Sequence, residues 1–510
     1  MIISLSVLVI TIIVSGTYAL YKAQLSKNIG VNTTTHGLAY YINYVKGTDI
    51  TAATLNPSTS YEGGASSDIE FWKKDDSYDI YGKIELTVNT IGTNLSNSPA
   101  LKYAVVNNGN VLKEGSLKGT TSGSKVTILK NLYLEQTKQI YTVYVWLDNS
   151  EELGNISNES LSISVDCTAS LQKEPTAADY ITDLYTEAAK VTATNNSITY
   201  NTAPSVSLMN DRLGGTTTDL DGGNIRYYGA NPNNYIYFNC SDYSNQTSST
   251  CETWRIIGVF DGKLKLIRGS QIGKYSWDNK NTSTGAENDT GKNDWTTARL
   301  MKLLNPSNYY KVDSNDNNLG QSLYYNSASG KCYSGQNNAT VDCDFTSTGI
   351  KNAETRNMIA ETTYNLGGWN SNSVYSNQIY EYERGTTVYS GRPTTWKGKI
   401  ALAYPSDYGY AADLNQCKDK ALYDYDNRTC TSNNWMKAII TNNGSNTGRL
   451  LTPASGSSCY AWTVYSDGSV YSNNIAYSAY GAVPVLSLSS ELGIESGGDG
   501  SSSKPYKLSA

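Results

Sequence analysis

Few residues of this 510-residue chain could carry acid–base chemistry. His36 is the single histidine, and it lies in the polar segment NTTTHG, far from any candidate nucleophile. Neither a Ser-His-Asp nor a Cys-His arrangement can therefore be assembled in the remainder of the chain. Glu381 and Glu383 alternate with a tyrosine, so on a strand the two carboxylates would share a face and could act as an acid–base pair. The same spacing beside Arg384 also suits a structural ion pair, and we expect no enzymatic activity.

Oxygen ligands for a calcium ion could come from two segments, but neither matches a complete loop pattern. The chain also has no glycine-rich loop of the kind that cradles phosphates. We therefore predict no cofactor, with bound calcium left as an open alternative. The candidate oxygen donors are Asp219, Asp221 and Asn224 in TTDLDGGN, and Asp278 and Asn279 in SWDNKN.

Six of the eight cysteines form three close pairs, flanked by Tyr, Asn, Ser, Asp and Thr. Such spacings suit disulfides across hairpins or surface loops, each adding about 3 kcal/mol of stability. Metal ligation would need C-x-x-C clusters or histidines, which are absent here. Cys167 and Cys459 are left over, and the sequence does not say whether they pair. The predicted disulfides are Cys240–Cys251, Cys332–Cys343 and Cys417–Cys430.

Composition and the N-terminus together indicate an exported protein. The chain has 42 Tyr against 4 Phe and 17% charged residues, which is typical of extracellular β-rich material, and its net charge of -6 gives no reason to expect a nucleic-acid partner. Residues 1–22 begin with the nearly all-apolar run MIISLSVLVITIIVSGTYAL, which predicts a signal-anchor or transmembrane helix. Cleavage after Ala19 is a second possibility that the sequence leaves open.

The segments that follow predict three further regions. Residues 31–170 contain short alternating stretches such as KIELTVNTI, ALKYAVVNN, SKVTILKNLYL, QIYTVYVWLD and LSISVDC, which predict a β-sandwich stalk. Residues 171–199 predict a connecting helix and a linker. Residues 200–510 predict an α+β domain, with strands such as TWRIIGVF and helices over 294–304 and 352–366.

Two family resemblances follow from these segments. The N-terminal part is similar to exported matrix-fibre subunits of the camelysin type. The stretches YYGANPNNYIYFNC, ETWRIIGVF, NDWTTARLMKLLN, LYYNSASGKCYSG, YERGTTVYSGRPTTWKGKIALAYPSDYGYA, RLLTP and GGDGSSSKPYKLS resemble exported bacterial proteins with a C-type-lectin-like domain, related to the formylglycine-generating-enzyme form of that fold. The paired active-site cysteines of those enzymes have no counterpart beside Cys459, so that activity is not carried over.

The stretch AWTVYSDGSVYSNNIAYSAYGAVPVL, residues 461–486, resembles the variable region of proteins that diversity-generating retroelements serve. The resemblance implies a fixed fold with a diversified ligand-binding patch, whose residues derive from AAC codons altered at the first two bases. An arginine expected just before the proline is missing here. The candidate ligand-binding residues are Thr463, Tyr465, Asp467, Ser469, Tyr471, Ser472, Asn473, Asn474, Ile475, Tyr477, Ala479 and Tyr480.

Strand periodicity supports a binding face independently of that resemblance. Alternation over 462–470 predicts that Trp462, Val464, Gly468 and Val470 point inward, while Thr463, Tyr465, Asp467 and Ser469 point outward. An outward face of Tyr, Ser, Asp and Asn has the chemistry of antibody paratopes. Because Tyr and Ser are abundant throughout the chain, a merely compositional origin stays open.

The predicted fold class is multidomain: an N-terminal hydrophobic helix, an all-β sandwich, and an α+β C-type-lectin-like domain with long disulfide-pinned loops. The predicted function is that of a bacterial cell-surface ligand-binding protein, anchored in the membrane by its N-terminal helix. Its expected partner is an external protein or glycan. A structural fibre or matrix subunit that self-associates is the alternative.

Overall fold

The computed structural model describes most of the chain from residue 41 onward. The predicted helix over 1–22 and His36 lie outside the described residues. Among the residues that are described, no helix is both long and apolar enough to cross a membrane. The described ranges are 23–25, 41–51, 55–149, 151, 153, 155–156, 158–195, 198–213, 223–278, 290–311, 323–326, 331–333, 340–342, 344–417 and 420–509.

Two units with separate cores make up the chain, Met1–Glu174 and Pro175–Ala510. Both are built mainly of β-strands, so the prediction of a multidomain, β-rich protein is confirmed. The first unit contains β1 (Ala23–Leu25), β2 (Ile42–Val45), β3 (Ile50–Thr51), β4 (Pro57–Ser58), β5 (Ala65–Lys73), β6 (Tyr81–Ile91), α1 (Thr93–Asn97), β7 (Leu101–Asn107), β8 (Asn110–Ser116), β9 (Lys125–Tyr133), β10 (Ile140–Asp148) and β11 (Leu161–Ser170).

The strands of the first unit form two sheets around one apolar core. One sheet has the order β1-β11-β6-β9 with β3 beside β11, and the other has the order β2-β5-β10-β7-β8 with β4 beside β10. Ile69 and Phe71 from the second sheet and Ile84 and Leu86 from the first share one cluster and are fully buried. Alternation of buried and exposed residues along β5 and β6 produces this inner face. The arrangement is β-sandwich-like.

Asparagine shapes many of the turns in both units. Seven of the ten described non-glycine residues with positive φ are Asn, a residue type that tolerates the left-handed region. The hairpin between β7 and β8 turns at Asn108 and Gly109, with φ of 50° and 76°. Positive φ at both central residues matches the twist of the flanking strands, which explains the Asn-Gly pair at this turn.

The second unit contains more irregular chain and all the longer described helices. Its helices are α2 (Ala177–Glu187), α3 (Arg299–Leu304), α4 (Ala353–Met358), α5 (Ser376–Glu383), α6 (Pro405–Tyr410), α7 (Arg428–Ser432) and α8 (Trp435–Ile440). Its strands are β12 (Val191–Asn195), β13 (Ile198–Ala203), β14 (Leu208–Asn210), β15 (Ile225–Tyr227), β16 (Tyr235–Phe238), β17 (Glu252–Phe260), β18 (Lys263–Arg268), β19 (Gly273–Ser276), β20 (Lys331–Tyr333), β21 (Thr340–Asp342), β22 (Thr362–Asn365), β23 (Thr395–Gly398), β24 (Ile400–Ala401), β25 (Gly448–Pro453), β26 (Tyr460–Val464), β27 (Val470–Ile475), β28 (Ala479–Ala482), β29 (Val485–Ser487), β30 (Gly493–Ile494) and β31 (Leu508–Ser509).

A large sheet separates the two largest apolar clusters of the second unit. Its order is β12-β13-β14-β15-β17-β18-β29-β24, with β16 also paired to β17. The adjacent residues Ile256 and Ile257 belong to different clusters, as do Leu266 and Ile267. Because successive side chains of a strand point to opposite faces, the two clusters cover the two sides of this sheet. A smaller sheet, β19-β28-β25-β26-β27, carries the residues 461–482.

Helix predictions in the second unit are partly wrong. Helix α2 begins where predicted, because Thr176 and Asp179 form a capping box with bonds of 3.1 and 2.9 Å. Helix α3 is shorter than the predicted span 294–304. The predicted helix over 352–366 ends at Met358, and residues 362–365 instead form β22, paired with β23. The β-branched pair at the start of β22 favours that strand.

Two of the three predicted disulfides are present. Cys240 bonds to Cys251, and Cys417 bonds to Cys430. The pair Cys332–Cys343 lies outside the part of the chain whose side chains are described. Cys167 and Cys459, which the sequence left unassigned, are buried free thiols.

Candidate functional site

The candidate site consists of β26, β27 and β28 of the smaller sheet and the turns between them. These three strands follow one another along the chain. The turn between β26 and β27 is closed by two backbone bonds, from Tyr465 N to Ser469 O (2.8 Å) and from Gly468 N to Tyr465 O (2.9 Å). Gly468 has φ of 107°, and a Cβ there would lie 2.9 Å from Thr431 Cγ2. Glycine is therefore required at the tip of the turn.

Inward packing of this stretch agrees with the alternation of its sequence. Trp462, Val464 and Val470 are fully buried. The Trp462 indole N–H donates to the carbonyl of Trp369 at 3.2 Å, which ties the strand to the neighbouring loop. These three side chains belong to the cluster that also contains both cysteines of the Cys417–Cys430 disulfide.

Outward positions predicted for two residues are wrong. Thr463 is fully buried and Ser469 is 3% exposed. The register explains Thr463: it pairs with Tyr471, whereas Ala461 pairs with Asn474, so three steps along β27 oppose two along β26. This bulge brings Asn474 over Thr463, and the Asn474 amide donates to the Thr463 hydroxyl at 2.5 Å.

Four of the twelve candidate residues are buried, and eight retain exposed surface. Thr463, Ser469, Ser472 and Asn474 lie in the interior, with Ser472 and Asn474 3% and 6% exposed. Ser472 donates through both its backbone N–H and its hydroxyl to Asn372 Oδ1, at 2.8 and 2.9 Å. The partly or fully exposed residues, which we call the surface patch, are Tyr465, Asp467, Tyr471, Asn473, Ile475, Tyr477, Ala479 and Tyr480.

Asn474 connects the tyrosines of the surface patch. Its Oδ1 accepts hydrogen bonds from the hydroxyls of Tyr465 (3.3 Å) and Tyr480 (3.1 Å). The Tyr465 and Tyr471 rings meet edge to face with their centroids 5.1 Å apart. Such contacts restrict the side-chain rotation of three partly exposed rings, so less conformational entropy is lost when a ligand binds them.

Acidic groups border the patch near Tyr471. Partial burial raises the pKa of the Tyr471 phenol, and the charges of Asp467 and Asp426 raise it further. Asp467 itself closes the β26–β27 turn, because its Oδ1 accepts from Ser469 N (2.9 Å) and Ser469 Oγ (2.6 Å). The electrostatic character of this side of the patch is therefore negative.

Buried Arg449 holds the turn between β27 and β28 through hydrogen bonds to its backbone. Its Nη2 donates to the carbonyls of Ile475 (2.6 Å), Ala476 (3.2 Å) and Ser478 (2.6 Å). Its guanidinium lies 4.6 Å from the centre of the Tyr480 ring. Burial lowers the pKa of Arg449 to about 9, and the Tyr480 ring opposes this shift only in part.

Backbone atoms of the stretch are held at two further points. The Ser276 hydroxyl donates to the carbonyl of Tyr477 at 2.6 Å, and the Tyr408 hydroxyl donates to the carbonyl of Gly468 at 3.0 Å. Sequence reasoning missed Arg449, Ser276 and Tyr408 as parts of the site. An available signal was Arg449 itself, a charged residue opening the otherwise uncharged strand sequence GRLLTP.

Of the two interpretations of Glu381 and Glu383, the structure agrees with the structural ion pair, because Arg384 Nη1 lies 3.3 Å from Glu383 Oε2. Both residues lie in helix α5, where Glu381 is exposed and Glu383 is fully buried. Glu383 accepts from the backbone N–H and hydroxyl of Ser406 at 3.0 and 2.5 Å. Because two residues two apart on a helix point in different directions, the geometric basis for an acid–base pair is lost.

Candidate calcium ligands are only partly described. Asp219, Asp221 and Asn279 lie outside the described residues, whereas Asn224 and Asp278 lie inside. Asp278 accepts the backbone N–H groups of Lys292 (3.0 Å) and Arg299 (3.4 Å). In the part of the chain that the structure describes, no three His, Cys, Asp or Glu residues are grouped so that they could hold a metal ion.

Comparisons with known proteins show no family for this chain. No protein-family model matches it, and no curated protein matches it. A solved structure of the receptor binding domain of botulinum neurotoxin mosaic serotype C/D is similar over 52% of this chain and 75% of that chain, with 11% identity and a TM-score of 0.15. That TM-score is too low to indicate a shared fold.

Proposed function

We propose that the chain is an exported bacterial ligand-binding protein that presents the surface patch of its second unit to an external protein or glycan. In this proposal the second unit is a C-type-lectin-like domain, residues 1–22 anchor the chain in the membrane, and the first unit is a stalk. The 461–486 stretch is the diversified region of a retroelement-served variable protein. We propose no enzymatic activity.

One observation carries the proposal: side chains outside the stretch bind its backbone at several points. Arg449, Ser276 and Tyr408 bind carbonyl oxygens of residues 468–478, which every amino acid possesses. The side chains left at the surface can then change without removing these bonds. A binding face of variable specificity requires that the backbone be held by groups outside the stretch while the surface side chains differ.

A binding screen tests the proposal. The purified protein is applied to arrays of glycans and of cell-surface proteins, and each signal is compared with that of the double variant Tyr465→Ala/Tyr471→Ala. Tyr325→Ala is the matched control, because Tyr325 is 54% exposed in the same unit but lies outside the patch. We expect the double variant to lose at least tenfold in affinity for any ligand found and the control to lose none. Equal binding by all three proteins refutes the patch as the binding site.

The genome offers a separate test of diversification. We expect an Asn-rich near-copy of the codons for 461–486 beside a reverse transcriptase gene. If the gene neighbourhood holds no such copy, the stretch is a fixed sequence, and ligand binding must then be judged from the arrays alone.

Self-association as a fibre or matrix subunit is the second candidate function. Strand β8 is the last strand of its sheet, and its residues Val111 and Leu112 are 43% and 39% exposed. Apolar residues on an edge strand favour pairing with another chain. Sedimentation of the exported part should then show concentration-dependent assembly that Val111→Lys abolishes, and a monomer at all concentrations excludes this function.

A further inference from the structure

Four charged side chains form a closed cluster in the interior of the second unit. Arg226 Nε lies 2.6 Å from Asp211 Oδ2, and Arg226 Nη1 lies 3.2 Å from Asp407 Oδ1. Lys265 Nζ lies 2.5 Å from Asp407 Oδ2. All four side chains are at most 7% exposed, and their formal charges cancel.

Hydrogen bonding in this cluster is incomplete. An ammonium group has three donors, yet Asp407 is the one hydrogen-bond acceptor that Lys265 has among the described residues. The rings of Phe260 and Tyr404 lie 4.9 and 4.6 Å from Lys265 Nζ. Arg226 Nη2 also has no hydrogen-bond partner in the described part of the chain. Burying donors without acceptors costs free energy, so ion pairs alone hold these elements together inefficiently.

Burial also favours the reactive form of the lysine. Desolvation lowers the pKa of Lys265, although the charge of Asp407 opposes this effect. Transfer of one proton within the Lys265–Asp407 contact gives a neutral amine next to a neutral carboxylic acid, and low polarity makes that transfer less costly than in water. Burial of Asp407 favours this transfer, whereas the positive charges of Lys265 and Arg226 oppose it and lower the pKa of Asp407. The contact therefore holds a potential nucleophile against a potential electrophile, with bulk water excluded.

We propose that Lys265 and Asp407 condense to an intramolecular amide cross-link. After the proton transfer, Lys265 Nζ attacks Asp407 Cγ and forms the new C–N bond. Negative charge develops on Asp407 Oδ1, which already accepts a hydrogen bond from Arg226 Nη1 at 3.2 Å. The Cγ–Oδ2 bond then breaks, and Oδ2 leaves as water with two of the three protons of the original ammonium. The third proton stays on the amide nitrogen, so no oxidant, reductant or co-reactant is needed.

The cross-link would connect parts of the chain that the described disulfides do not connect. Lys265 and Asp407 are 142 residues apart, whereas the described disulfides span 11 and 13 residues. The bond joins strand β18 to the first turn of helix α6, and Arg226 and Asp211 remain as a neutral pair. Loss of Oδ2 removes the hydrogen bond that it accepts from Tyr404 N (3.0 Å). Because closure of a longer loop restricts the unfolded chain more, this cross-link would stabilise the unit more than either disulfide.

Peptide mapping of the full chain tests the proposal. The protein is denatured, its disulfides are reduced and alkylated, and it is digested with trypsin. We expect a branched peptide that joins residues 264–268 to residues 400–418 and is lighter than the sum of the two by the mass of one water molecule. Trypsin cannot cleave after an acylated lysine, so cleavage after Lys265 together with a linear 400–418 peptide overturns the proposal.

One variant and one internal control sharpen the test. Lys265→Arg keeps the positive charge but removes the nucleophilic amine, and should yield only the linear 400–418 peptide; if this variant does not fold, the digest of the unmodified chain decides alone. The matched control is the contact between Lys102 Nζ and Asp148 Oδ2, equally short at 2.5 Å but with side chains 21% and 15% exposed. Trypsin should cleave normally after Lys102. A branch at Lys102 as well would overturn the argument from burial.

Discussion

Substitution of the buried Glu383 by glutamine should change how the stability of the second unit depends on pH. The pKa of this carboxyl is raised from 4.5 to about 7, chiefly by burial and also by the charge of Asp407, although Arg384 and the Ser406 hydrogen bonds oppose the shift. Because the folded-state pKa lies above that of the unfolded chain, the neutral acid contributes stability that is complete below pH 4.5 and is lost as pH rises through about 7.

The magnitude follows from the size of the pKa shift. A shift of one unit corresponds to about 1.4 kcal/mol, so the shift of Glu383 corresponds to about 3 kcal/mol of unfolding free energy lost between acid and neutral pH. Glu383→Gln stays neutral at every pH. Its single amide oxygen can accept the hydrogen bond from Ser406 N, and its amide NH2 can donate to the Ser406 hydroxyl oxygen. We therefore expect the unfolding free energy of the variant to equal that of the wild type in acid. Above pH 7 it should be higher than that of the wild type by up to about 3 kcal/mol.

Urea unfolding followed by tryptophan fluorescence measures this difference. Nine tryptophans are present and two of them, Trp72 and Trp146, precede residue 175, so the signal comes mainly from the second unit. Glu381→Gln, on the exposed side of the same helix, is the matched control and should follow the wild-type curve. A stability difference between Glu383→Gln and wild type that does not change with pH would show that the pKa of Glu383 is the same in the folded and the unfolded chain, and would refute the reasoning.

Three further predictions concern stability. Cys417→Ser with Cys430→Ser should lower the unfolding free energy by about 3 kcal/mol, measured by chemical denaturation, and no change would mean that the loop is held by other contacts. Thr176→Ala should lower it by about 1 kcal/mol through loss of the capping box, whereas Thr176→Ser should be nearly neutral. Trp462→Ala should cost about 3–5 kcal/mol in thermal denaturation, and a loss below 1 kcal/mol would contradict the burial of its indole.

Strand periodicity predicted five strands of the first unit. The five stretches coincide with β6, β7, β9, β10 and β11, and the alternation between the core and the outside is clearest in β6. Strands β1, β3, β4 and β5 were not among the predicted stretches, and neither was β8. Its residues Asn110, Val111 and Leu112 are all exposed, so at the edge of the sheet no buried face imposes a period of two.

The second unit and the site were predicted less well, because much of their chain is irregular. Alternation placed Trp462, Val464 and Val470 correctly, since each is held in the core. It failed at Thr463, because a bulge depends on how two strands pair and not on either sequence alone. The role of Arg449 depends likewise on a turn that lies next to it only after folding, 26 to 29 residues along the chain.

The asparagine–glycine turns make this protein prone to slow deamidation. An asparagine amide followed by glycine hydrolyses unusually readily, since the unhindered glycine nitrogen can attack it. Asn108–Gly109 is exposed at a hairpin tip, and Asn443–Gly444 occupies a second turn with φ of 54° and 82°. Each event converts a neutral amide to a carboxylate, so stored preparations should drift toward more acidic species on ion exchange while the fold persists.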